Sequence, residues 1–502
     1  MSGAIEIVDL FAGPGGLGEG FAAAGRETIS PMAIRLSVEK DSYAIRTLRL
    51  RAFLRSFEGG FPSSYYDALN GARPLPDWNS LHPVNWKHAL EEAQQLELGL
   101  PGVFERLSTA LDSAREGCAG RTVLIGGPPC QAYSLAGRSR NAGNKDYVAD
   151  SDNRHFLYRE YVSILDRLRP AVFVMENVKG MLSSRVSDGA IADRVFDDLR
   201  TAGDGYVLLP LTGESNLLDD HHPRDFVVRA EEHGVPQARH RVIIVGLRSD
   251  LARGRDFRGP LLVRSRPSAD NSVISAIGAM PSLRSGLSRN DGGTAWVQTV
   301  ADWAQRLAAD PALPPELQAE FRGLANCRQA RPLTRSTSSQ ASAIPSGPLA
   351  LWLEDPKLDV LLDHETRGHI PADLGRYLFA AGFGRINGRS PSLVEFPDYL
   401  QPHHANRHTG AFADRFRVQL ANAPSTTVTS HIAKDGHYFI HPDPTQCRSL
   451  TVREAARLQT FPDNYYFCGP RTEQYKQVGN AVPAFLAHQI AHVVHNLIEG
   501  SV

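Results

Sequence analysis

The chain has little cysteine and no long hydrophobic run. Its five cysteines lie at positions 118, 130, 327, 447 and 468, and no two of them form a Cys-x-x-Cys pair. This spacing predicts neither a disulfide framework nor a zinc site, so we expect no bound metal. No apolar segment is long enough to cross a bilayer, and the start Met1–Ala4 lacks the features of a secretory signal. We therefore expect a cytoplasmic protein with reduced thiols and no membrane partner.

Neither sign of charge dominates the chain. Its 502 residues include 54 Lys and Arg against 55 Asp and Glu. This balance argues against a generally basic coat for nucleic acid, but it does not exclude a local basic face. A chain of this length is expected to form two or three domains with a large core.

A cysteine follows directly after an apolar run. The run 122–127 reads Thr-Val-Leu-Ile-Gly-Gly and leads into Pro128-Pro129-Cys130-Gln131. This pattern is typical of a buried strand that ends in a rigid turn. Because proline fixes the backbone angle φ, the turn presents the sulfur of Cys130 in a set direction, and such a thiol is a candidate nucleophile. The alternative is a structural cysteine buried after a turn.

A glycine-rich turn lies near the start of the chain. The strand predicted at 5–10 runs into the turn 11–18, which a helix follows. Strand, glycine turn and helix form the nucleotide-binding arrangement of doubly wound sheets. No Lys-Ser/Thr pair is present, which argues against a P-loop. The strand predicted at 36–39 ends in Glu39, which can accept both ribose hydroxyls of an adenosine. The alternatives are a tight structural turn and a solvated strand-end charge.

Further polar residues stand beside apolar segments. The strand predicted at 170–175 ends in Glu176, and because parallel strands share one crevice at their carboxyl ends, Glu176 and Cys130 can face one pocket. Arg239 and Arg241 alternate before another strand and could clamp a phosphate or a base oxygen. The alternative for the arginines is a row of surface salt bridges.

The last part of the chain is predicted to be helical. Thr451 followed by Glu454 indicates a capping box at the start of one helix. The segment 477–483 precedes a second, apolar helix that reaches about Leu497.

In this order, the segments resemble the motifs of the DNA (cytosine-5) methyltransferase family. The matching sequences are DLFAGPGGLGEGF, GGPPCQAYS, ENV, QARHR, RSLTVREAARLQTFPD and QVGNAVP. The resemblance implies an α/β fold, with a Rossmann-like S-adenosylmethionine-dependent methyltransferase sheet and a second, smaller target-recognition domain. We expect a catalytic and cofactor-binding domain at 1–250, a target-recognition domain at 251–447, and a C-terminal segment at 448–502 that returns to the catalytic domain.

The same resemblance implies residue roles. Cys130 would be the nucleophile that attacks cytosine C6, and Glu176 would hydrogen-bond the ring N3 and the exocyclic amine. Arg239 and Arg241 would support the target nucleotide. The residues implied to hold S-adenosylmethionine are Phe11, Gly13, Gly15, Leu17, Glu39, Asp67, Pro128, Asn480 and Val482. The residues implied to contact DNA are Gln131, Ser134, Arg138 and Gln237.

One departure from the family pattern lies between the ribose acid and the cysteine strand. The stretch 51–121 is longer than a compact methylase needs and carries a helix predicted at 86–98. The acid that contacts the adenine should lie in this stretch. Asp67 is our candidate and Asp77 competes with it. Lys40 stands where the family commonly has an apolar or aromatic neighbour for the adenine.

A second departure is the stretch 247–447, which carries no methylase motif. Residues 248–335 hold thirteen arginines, eight acids and no lysine, which favours bidentate contacts with guanine or phosphate. Three histidines of the same stretch cluster at 403, 404 and 408. They lack an acid or cysteine at matching spacing, and we interpret them as polar loop residues rather than metal ligands.

The function we expect is methyl transfer from S-adenosylmethionine to C5 of a flipped-out cytosine, through a covalent Cys130 adduct. The partner would be double-stranded DNA bound by a monomer, in restriction–modification or related host-DNA marking, with any restriction endonuclease on a separate chain. An RNA cytosine-5 methyltransferase of the same fold is one alternative. A catalytically silent DNA-binding regulator is another, against which the intact Cys130 and Glu176 argue. The recognition sequence cannot be read from the chain.

Overall fold

An eight-stranded mixed sheet forms the centre of the fold. The computed structural model describes residues 3–129, 157–183, 185–186, 189–213, 221–257, 259–265, 271–326, 333–339, 344, 347–402 and 414–501. The strands of the sheet are β1 (Ile5–Leu10), β2 (Met32–Glu39), β3 (Ala93–Gln95), β4 (Thr122–Gly126), β5 (Val172–Val178), β6 (Tyr206–Leu209), β7 (Val227–Arg229) and β8 (His240–Arg248).

The strand order is β3-β2-β1-β4-β5-β8-β6, with β7 also paired to β8. Strands β1 to β5 are parallel, whereas β8 runs antiparallel to β5 and β6. Both faces of such a sheet are covered, so its strands are near-continuous apolar runs. All five residues of β4 are buried, for example. The expected α/β sheet is therefore confirmed, and the strands predicted at 5–10 and 122–127 are close to their observed bounds. The strand predicted at 36–39 begins four residues earlier, at Met32.

Helices cover the sheet and continue through the rest of the chain. They are α1 (Gly16–Gly25), α2 (Ala44–Arg55), α3 (Ser63–Leu69), α4 (Trp78–Leu81), α5 (Pro83–Glu92), α6 (Val103–Gly117), α7 (Leu157–Leu168), α8 (Ile191–Thr201), α9 (Ser249–Ala252), α10 (Val273–Ile277), α11 (Gly293–Ala308), α12 (Pro315–Asn326), α13 (Pro348–Leu353), α14 (Pro371–Asn387), α15 (Val452–Leu458), α16 (Arg471–Asn480) and α17 (Ala484–Glu499). Within the described ranges, no helix is both long and apolar enough to span a membrane.

Two hydrophobic clusters lie against the sheet. One contains residues of α1 and α17, such as Phe21 and Ile490, with Ile7 of β1. The other contains residues of α6, α7 and α8, such as Leu107 and Ile164. The C-terminal helix therefore packs beside the first helix of the chain, and this contact brings the end of the chain back to the sheet.

The sequence prediction of one helix over 86–98 is wrong in its second half. Helix α5 ends at Glu92, and residues 93–95 form strand β3 at the edge of the sheet. Ala93 is fully buried there, and its carbonyl accepts a hydrogen bond from Arg49 Nε at 3.1 Å. Pairing with β2 thus satisfies backbone groups that another turn of helix would have used.

The stretch without methylase motifs forms a largely helical core of its own. Trp296 and Leu307 of α11, Phe321 of α12 and Leu378 of α14 belong to it. Several arginines of this stretch have partners within the chain. Arg284 and Arg335 both pair with Asp291, and Arg306 lies 3.8 Å from the ring centre of Tyr399.

The proposed domain limit at 447/448 does not coincide with a break in packing. One hydrophobic cluster joins α10, the segment around Val428 and Phe439, and helices α15 and α16. In addition, the short strand Ser425–Thr426 pairs in parallel with Gln237–Ala238. Residues just before the limit therefore pack with the catalytic part of the chain.

A buried carboxyl group lies near the carboxyl end of β1. Asp9 is fully buried and neither of its carboxylate oxygens has a hydrogen-bond partner. Burial raises the pKa of Asp9 to about 8, against the opposing effect of the Arg55 charge. The folded protein therefore holds a proton on Asp9 over a pH range in which the unfolded chain is ionised.

Because folding raises this pKa, the stabilisation from a protonated Asp9 is present at low pH and is lost as the pH rises through about 8. In the wild type, Asp9 should make the free energy of unfolding fall by about 1.4 kcal/mol per pH unit between pH 5 and pH 7, the value for one proton. We expect the variant Asp9→Asn to lack this contribution, so that its free energy of unfolding falls less steeply over the same range. Urea unfolding at several pH values measures the decline. Asp67→Asn, on the surface, controls for the loss of one carboxylate, and equal slopes for wild type and Asp9→Asn would contradict the prediction.

Candidate active site

A cavity of about 480 Å³ opens at the carboxyl ends of the parallel strands. Many of the residues that line it follow or end β1, β2, β3, β4 and β5, and Glu176 is among them, as the sequence predicted. From these strand ends come Phe11, Gly13, Pro14, Glu39, Lys40, Asp41, Leu96, Glu97, Leu98, Gly127, Pro128, Pro129, Glu176, Asn177 and Val178. From elsewhere come Leu157, Arg239, Arg241, Thr429, Ser430, Glu473, Lys476, Gln477, Gly479 and Asn480, among others.

The glycine turn between β1 and α1 forms one wall. Phe11, Gly13 and Gly15 all have positive φ, at 55°, 56° and 98°, which glycine adopts without the strain that a side chain brings. A Cβ atom on Gly16 would lie 2.2 Å from the backbone oxygen of Val482. The first turn of α1 therefore packs directly on the segment that precedes α17.

Glu39 ends β2 and closes the base of this turn. Its Oε2 accepts a hydrogen bond from the backbone N–H of Gly13 at 2.8 Å. Its Oε1 accepts from the N–H groups of Lys40 and Asp41 at 2.8 and 2.7 Å. Burial raises the pKa of Glu39, and these backbone hydrogen bonds oppose the rise. Glu39 is therefore a positioned acceptor rather than a solvated charge.

Glu176 faces the cavity from β5, beside the proline turn. Its Oε1 lies 2.8 Å from Nε of Arg241 in an ion pair. A Cβ atom on Gly127 would lie 3.0 Å from Glu176 Oε2, so the glycine allows the carboxylate to lie against the turn. The neighbouring Asn177 donates from Nδ2 to the carbonyl of Pro128 at 3.2 Å. Strand β5 thus holds both the carboxylate and the turn that leads to Cys130.

Arg239 and Arg241 come from the segment before and within β8. Arg239 is buried, and its Nη1 donates to the carbonyl of Val428 at 2.8 Å. Burial lowers the pKa of Arg239, helped by the Arg241 charge and opposed by Glu176. The two guanidinium groups belong to the cavity wall rather than to a row of surface salt bridges.

At the opposite end of the cavity, Glu97 follows the edge strand β3. Oε1 of Glu97 lies 3.1 Å from Nζ of Lys40. The two sequence neighbours of Glu97, Leu96 and Leu98, also line the cavity. Asp67, our sequence candidate for this end, does not line the cavity but lies on α3 and pairs with Arg73 at 2.9 Å. Its competitor Asp77 caps α4 by accepting from the N–H of Asn79.

Apart from Asp67 and Gln237, the predicted site residues fall into three groups. Lining the cavity are Phe11, Gly13, Glu39, Pro128, Glu176, Arg239, Arg241 and Asn480. Gly15, Leu17 and Val482 lie behind the wall and shape the turn and the start of α1. Outside the described residues are Cys130, Gln131, Ser134 and Arg138, together with the histidines at 403, 404 and 408.

Gln237 does not lie at a surface that DNA could reach. It is fully buried, and its Nε2 donates to the carbonyl of Leu458 and to Oε1 of Gln459 at 3.1 and 2.9 Å. Its Oε1 accepts from the N–H of Val428 at 2.9 Å. Gln237 therefore ties three segments together behind the cavity, and its expected DNA contact is not supported by this geometry.

Sequence reasoning missed Glu97 and the pair Thr429-Ser430. Glu97 carried a usable signal, because the alternation Leu96-Glu97-Leu98 is typical of a segment with one buried face. Thr429 and Ser430 carried none, since they fall in the stretch without motifs. They reach the cavity because a glycine on α16 allows contact: a Cβ on Gly479 would lie 2.3 Å from the N atom of Ser430.

Comparison with known proteins shows which family the chain resembles. A sequence model of the family described as C-5 cytosine-specific DNA methylase matches residues 119–496. The chain is 31% identical to the Type II methyltransferase M.Bpa9945I of Bacillus paralicheniformis, across 98% of this chain and 99% of that protein. It is 28% identical to the Type II methyltransferase M.AgeI of Thalassovita gelatinovora, across 98% and 99% of the two chains.

Among solved structures, the fold resembles that of a proposed DNA modification methyltransferase encoded within a prophage (E. coli). The TM-score is 0.54 and the sequence identity 18%, over 99% of this chain and 100% of that one. The family match covers most of the chain, and the first relative is similar over its whole length. The chain therefore belongs to the family of C-5 cytosine-specific DNA methylases and is a methyltransferase.

Proposed function

We propose that the chain transfers a methyl group from S-adenosylmethionine to C5 of cytosine within a specific duplex DNA sequence, in a restriction–modification system. The Type II names of its relatives support the biological setting. The observation that carries the proposal is the position of Glu176, which Arg241 holds at 2.8 Å in the cavity that also contains Pro128 and Pro129, directly before Cys130.

The cavity suits S-adenosylmethionine in size and in the groups it offers. Its volume of about 480 Å³ falls within the usual range for small-molecule sites. Glu39 would accept the ribose hydroxyls, and the backbone of the glycine turn would lie along the amino-acid part. Glu97 would accept the adenine amine between Leu96 and Leu98. When bound, S-adenosylmethionine supplies a methyl group on a positively charged sulfur.

The residues of the chain would prepare the cytosine to take that methyl group. C5 of cytosine is a weak nucleophile, and addition of the Cys130 thiolate to C6 makes it an enamine carbon. Glu176 would hydrogen-bond N3 and the exocyclic amine, and would thereby stabilise the electrons that the addition pushes into the ring. After C5 has gained the methyl group, loss of its proton to a base expels the thiolate from C6. A cytosine that is stacked inside a duplex cannot reach this cavity, so the nucleotide must flip out of the helix.

The product identifies the reaction. Plasmid DNA treated with the purified protein and S-adenosylmethionine is digested to nucleosides and analysed by mass spectrometry, with an RNA pool treated in parallel. We expect 5-methyl-2′-deoxycytidine in the DNA and no 5-methylcytidine in the RNA. Methylation of the exocyclic amine would contradict the mechanism, and a methylated RNA with unmodified DNA would favour the RNA alternative.

Glu97 offers a test of the cofactor end. Glu97→Ala is expected to weaken S-adenosylmethionine binding about tenfold, because a hydrogen bond to a charged group contributes roughly 1.5–3 kcal/mol and part of this is shared with Lys40. Isothermal titration calorimetry measures the affinity. Asp67→Ala, the matched change at the residue that sequence alone suggested, should leave the affinity unchanged. If the change at Asp67 weakened binding and Glu97→Ala did not, Asp67 would be the residue that contacts the adenine.

We also propose that sequence choice resides within 251–447, since base-edge contacts specify and the motif-bearing remainder matches a whole family. The test replaces residues 281–422 by the corresponding segment of a relative with different specificity. Residues after 422 are kept, because Ser425–Thr426 pair with Gln237–Ala238 and Thr429 lines the cavity. Bisulfite sequencing of a plasmid with both sites should show the donor's methylation pattern. An active chimera with the recipient's pattern would show that specificity resides outside 281–422.

A further inference from the structure

Three metal-ligating side chains meet on the helical face of the sheet, away from the cavity. Glu27 lies just beyond the end of α1, and His488 and His492 lie four residues apart on α17. Oε2 of Glu27 is 3.0 Å from Nε2 of His488 and 3.2 Å from Nε2 of His492. The two Nε2 atoms are 3.3 Å apart. We call these three side chains the α1–α17 triad.

The three distances describe a nearly equilateral triangle of ligand atoms. In a tetrahedral zinc site, ligand bonds of about 2.0–2.2 Å place neighbouring nitrogen and oxygen ligands about 3.2–3.6 Å apart. Hydrogen bonds alone would require only that each imidazole contacts the carboxylate, with no close contact between the two imidazoles. Here Nε2 of each ring lies close both to the same carboxylate oxygen and to Nε2 of the other ring, so that three ligand atoms lie within 3.3 Å of one another.

The packing of the two helices fixes this convergence. Side chains four residues apart on a helix lie on one face, which places His488 and His492 side by side. Helix α17 approaches α1 so closely that a Cβ on Gly20 would lie 2.4 Å from the backbone N of His488. The ring of Trp352 covers His488 at a centroid distance of 5.0 Å and is itself held by a hydrogen bond from Nε1 to the carbonyl of Thr460 at 2.7 Å.

We propose that the α1–α17 triad binds one divalent transition-metal ion of the zinc class, with a water molecule completing the tetrahedron. Two imidazoles and one carboxylate suit zinc better than the hard cations Mg²⁺ and Ca²⁺. The side chains are accessible from solvent, with 56% of Glu27 and 39% of His492 exposed, so an ion can enter.

The ion would connect the end of the first βα unit to the C-terminal helix. Helix α1 has ten residues, about 15 Å at 1.5 Å per residue, and its other end forms the glycine turn. The metal would therefore lie far from the reacting atoms and act on stability rather than on chemistry. Binding to the folded chain alone stabilises it by linkage.

The test uses the full-length protein after chelator treatment and removal of the chelator. Zinc is titrated in competition with a chromophoric chelator, and thermal unfolding is followed with and without zinc. We expect one more zinc bound per wild-type chain than per His492→Ala chain and a zinc-dependent rise in the unfolding temperature that the variant lacks. Glu27→Gln, which keeps the side-chain length, should weaken the same site by more than about tenfold, the lower bound seen even for residues that only orient ligands.

His88→Ala, an exposed helical histidine elsewhere, controls for the loss of one imidazole and should bind zinc as the wild type does. Methyl transfer should be unchanged in Glu27→Gln. The proposal is overturned if His492→Ala and Glu27→Gln each bind as much zinc, as tightly, as the wild type. It is also overturned if the wild type binds no zinc at this site in the competition assay.

Discussion

Replacing Cys130 by serine is expected to lower methyl transfer by at least about 10⁴-fold while duplex binding survives. A serine hydroxyl is far harder to ionise than a thiol, and without addition at C6 the C5 carbon is not activated. Loss of the nucleophile costs about 10⁶-fold in a well-studied covalent hydrolase, so a four-decade loss is a conservative expectation. Transfer of tritium from labelled S-adenosylmethionine to a duplex measures the rate, and a mobility-shift assay measures binding.

Cys468→Ser is the matched control. Cys468 is a free, partly buried cysteine, and burial raises the pKa of its thiol, which makes it a poor nucleophile. Its replacement should leave the transfer rate near that of wild type. Near-normal transfer by Cys130→Ser would remove the covalent step from the proposed mechanism.

Replacing Glu176 by glutamine is expected to lower the single-turnover rate by at least about 10²-fold, the usual contribution of a positioned acid or base. The amide keeps the size of the side chain and can still contact the ring, but it cannot share a proton with N3. It also cannot form the ion pair that Arg241 makes with Glu176 at 2.8 Å. Rapid-quench measurements with enzyme in excess isolate this step from product release.

Glu473 provides the comparison, because it lines the same cavity and its carboxylate pairs with Lys476 at 2.7 Å. Glu473→Gln should change the single-turnover rate little. A rate for Glu176→Gln equal to that for Glu473→Gln would mean that the carboxylate at the end of β5 has no part in the chemistry.

Strand-end residues were the part of the site that sequence could predict. A parallel strand is an apolar run that ends abruptly, and the fold brings all such ends to one edge. Glu39 and Glu176 follow their runs directly, and both line the cavity. The capping box at Thr451 and Glu454 is confirmed as well, with Glu454 N 3.2 Å from Thr451 Oγ1 and Thr451 N 2.7 Å from Glu454 Oε2. The sequence predicted a residue's position correctly where that position depends only on its own strand or helix.

Residues whose role depends on distant segments were not predictable. Gln237 lies two residues before Arg239 in the same motif, yet its side-chain hydrogen bonds are made to Leu458, Gln459 and Val428. Asp67 and Glu97 are both acids in one insertion, and only the pairing of β3 with β2 places Glu97 at the cavity. The arginines of the motif-free stretch are similar: charge counting could not show that Arg284 and Arg335 share Asp291.

The buried charged residues of the motif RSLTVREAARLQTFPD also have a structural explanation. Arg448 makes a bidentate pair with Glu454 at 2.6 Å, and Arg457 pairs with Asp463 at 2.9 and 2.7 Å. All four side chains are buried. These two ion pairs connect α15 to the residues just before and just after it, which is a structural role.

The most direct test of the central claim, covalent catalysis at C5 through Cys130, is a trapping experiment on a duplex with 5-fluorocytosine at the methylated position. Fluorine cannot leave C5 as a proton, so the enzyme should stay bonded to C6 after methyl transfer. We predict a shifted band on a denaturing gel that requires S-adenosylmethionine and is absent with Cys130→Ala. No shifted band from active wild-type protein, on a site that bisulfite sequencing has confirmed, would contradict the account.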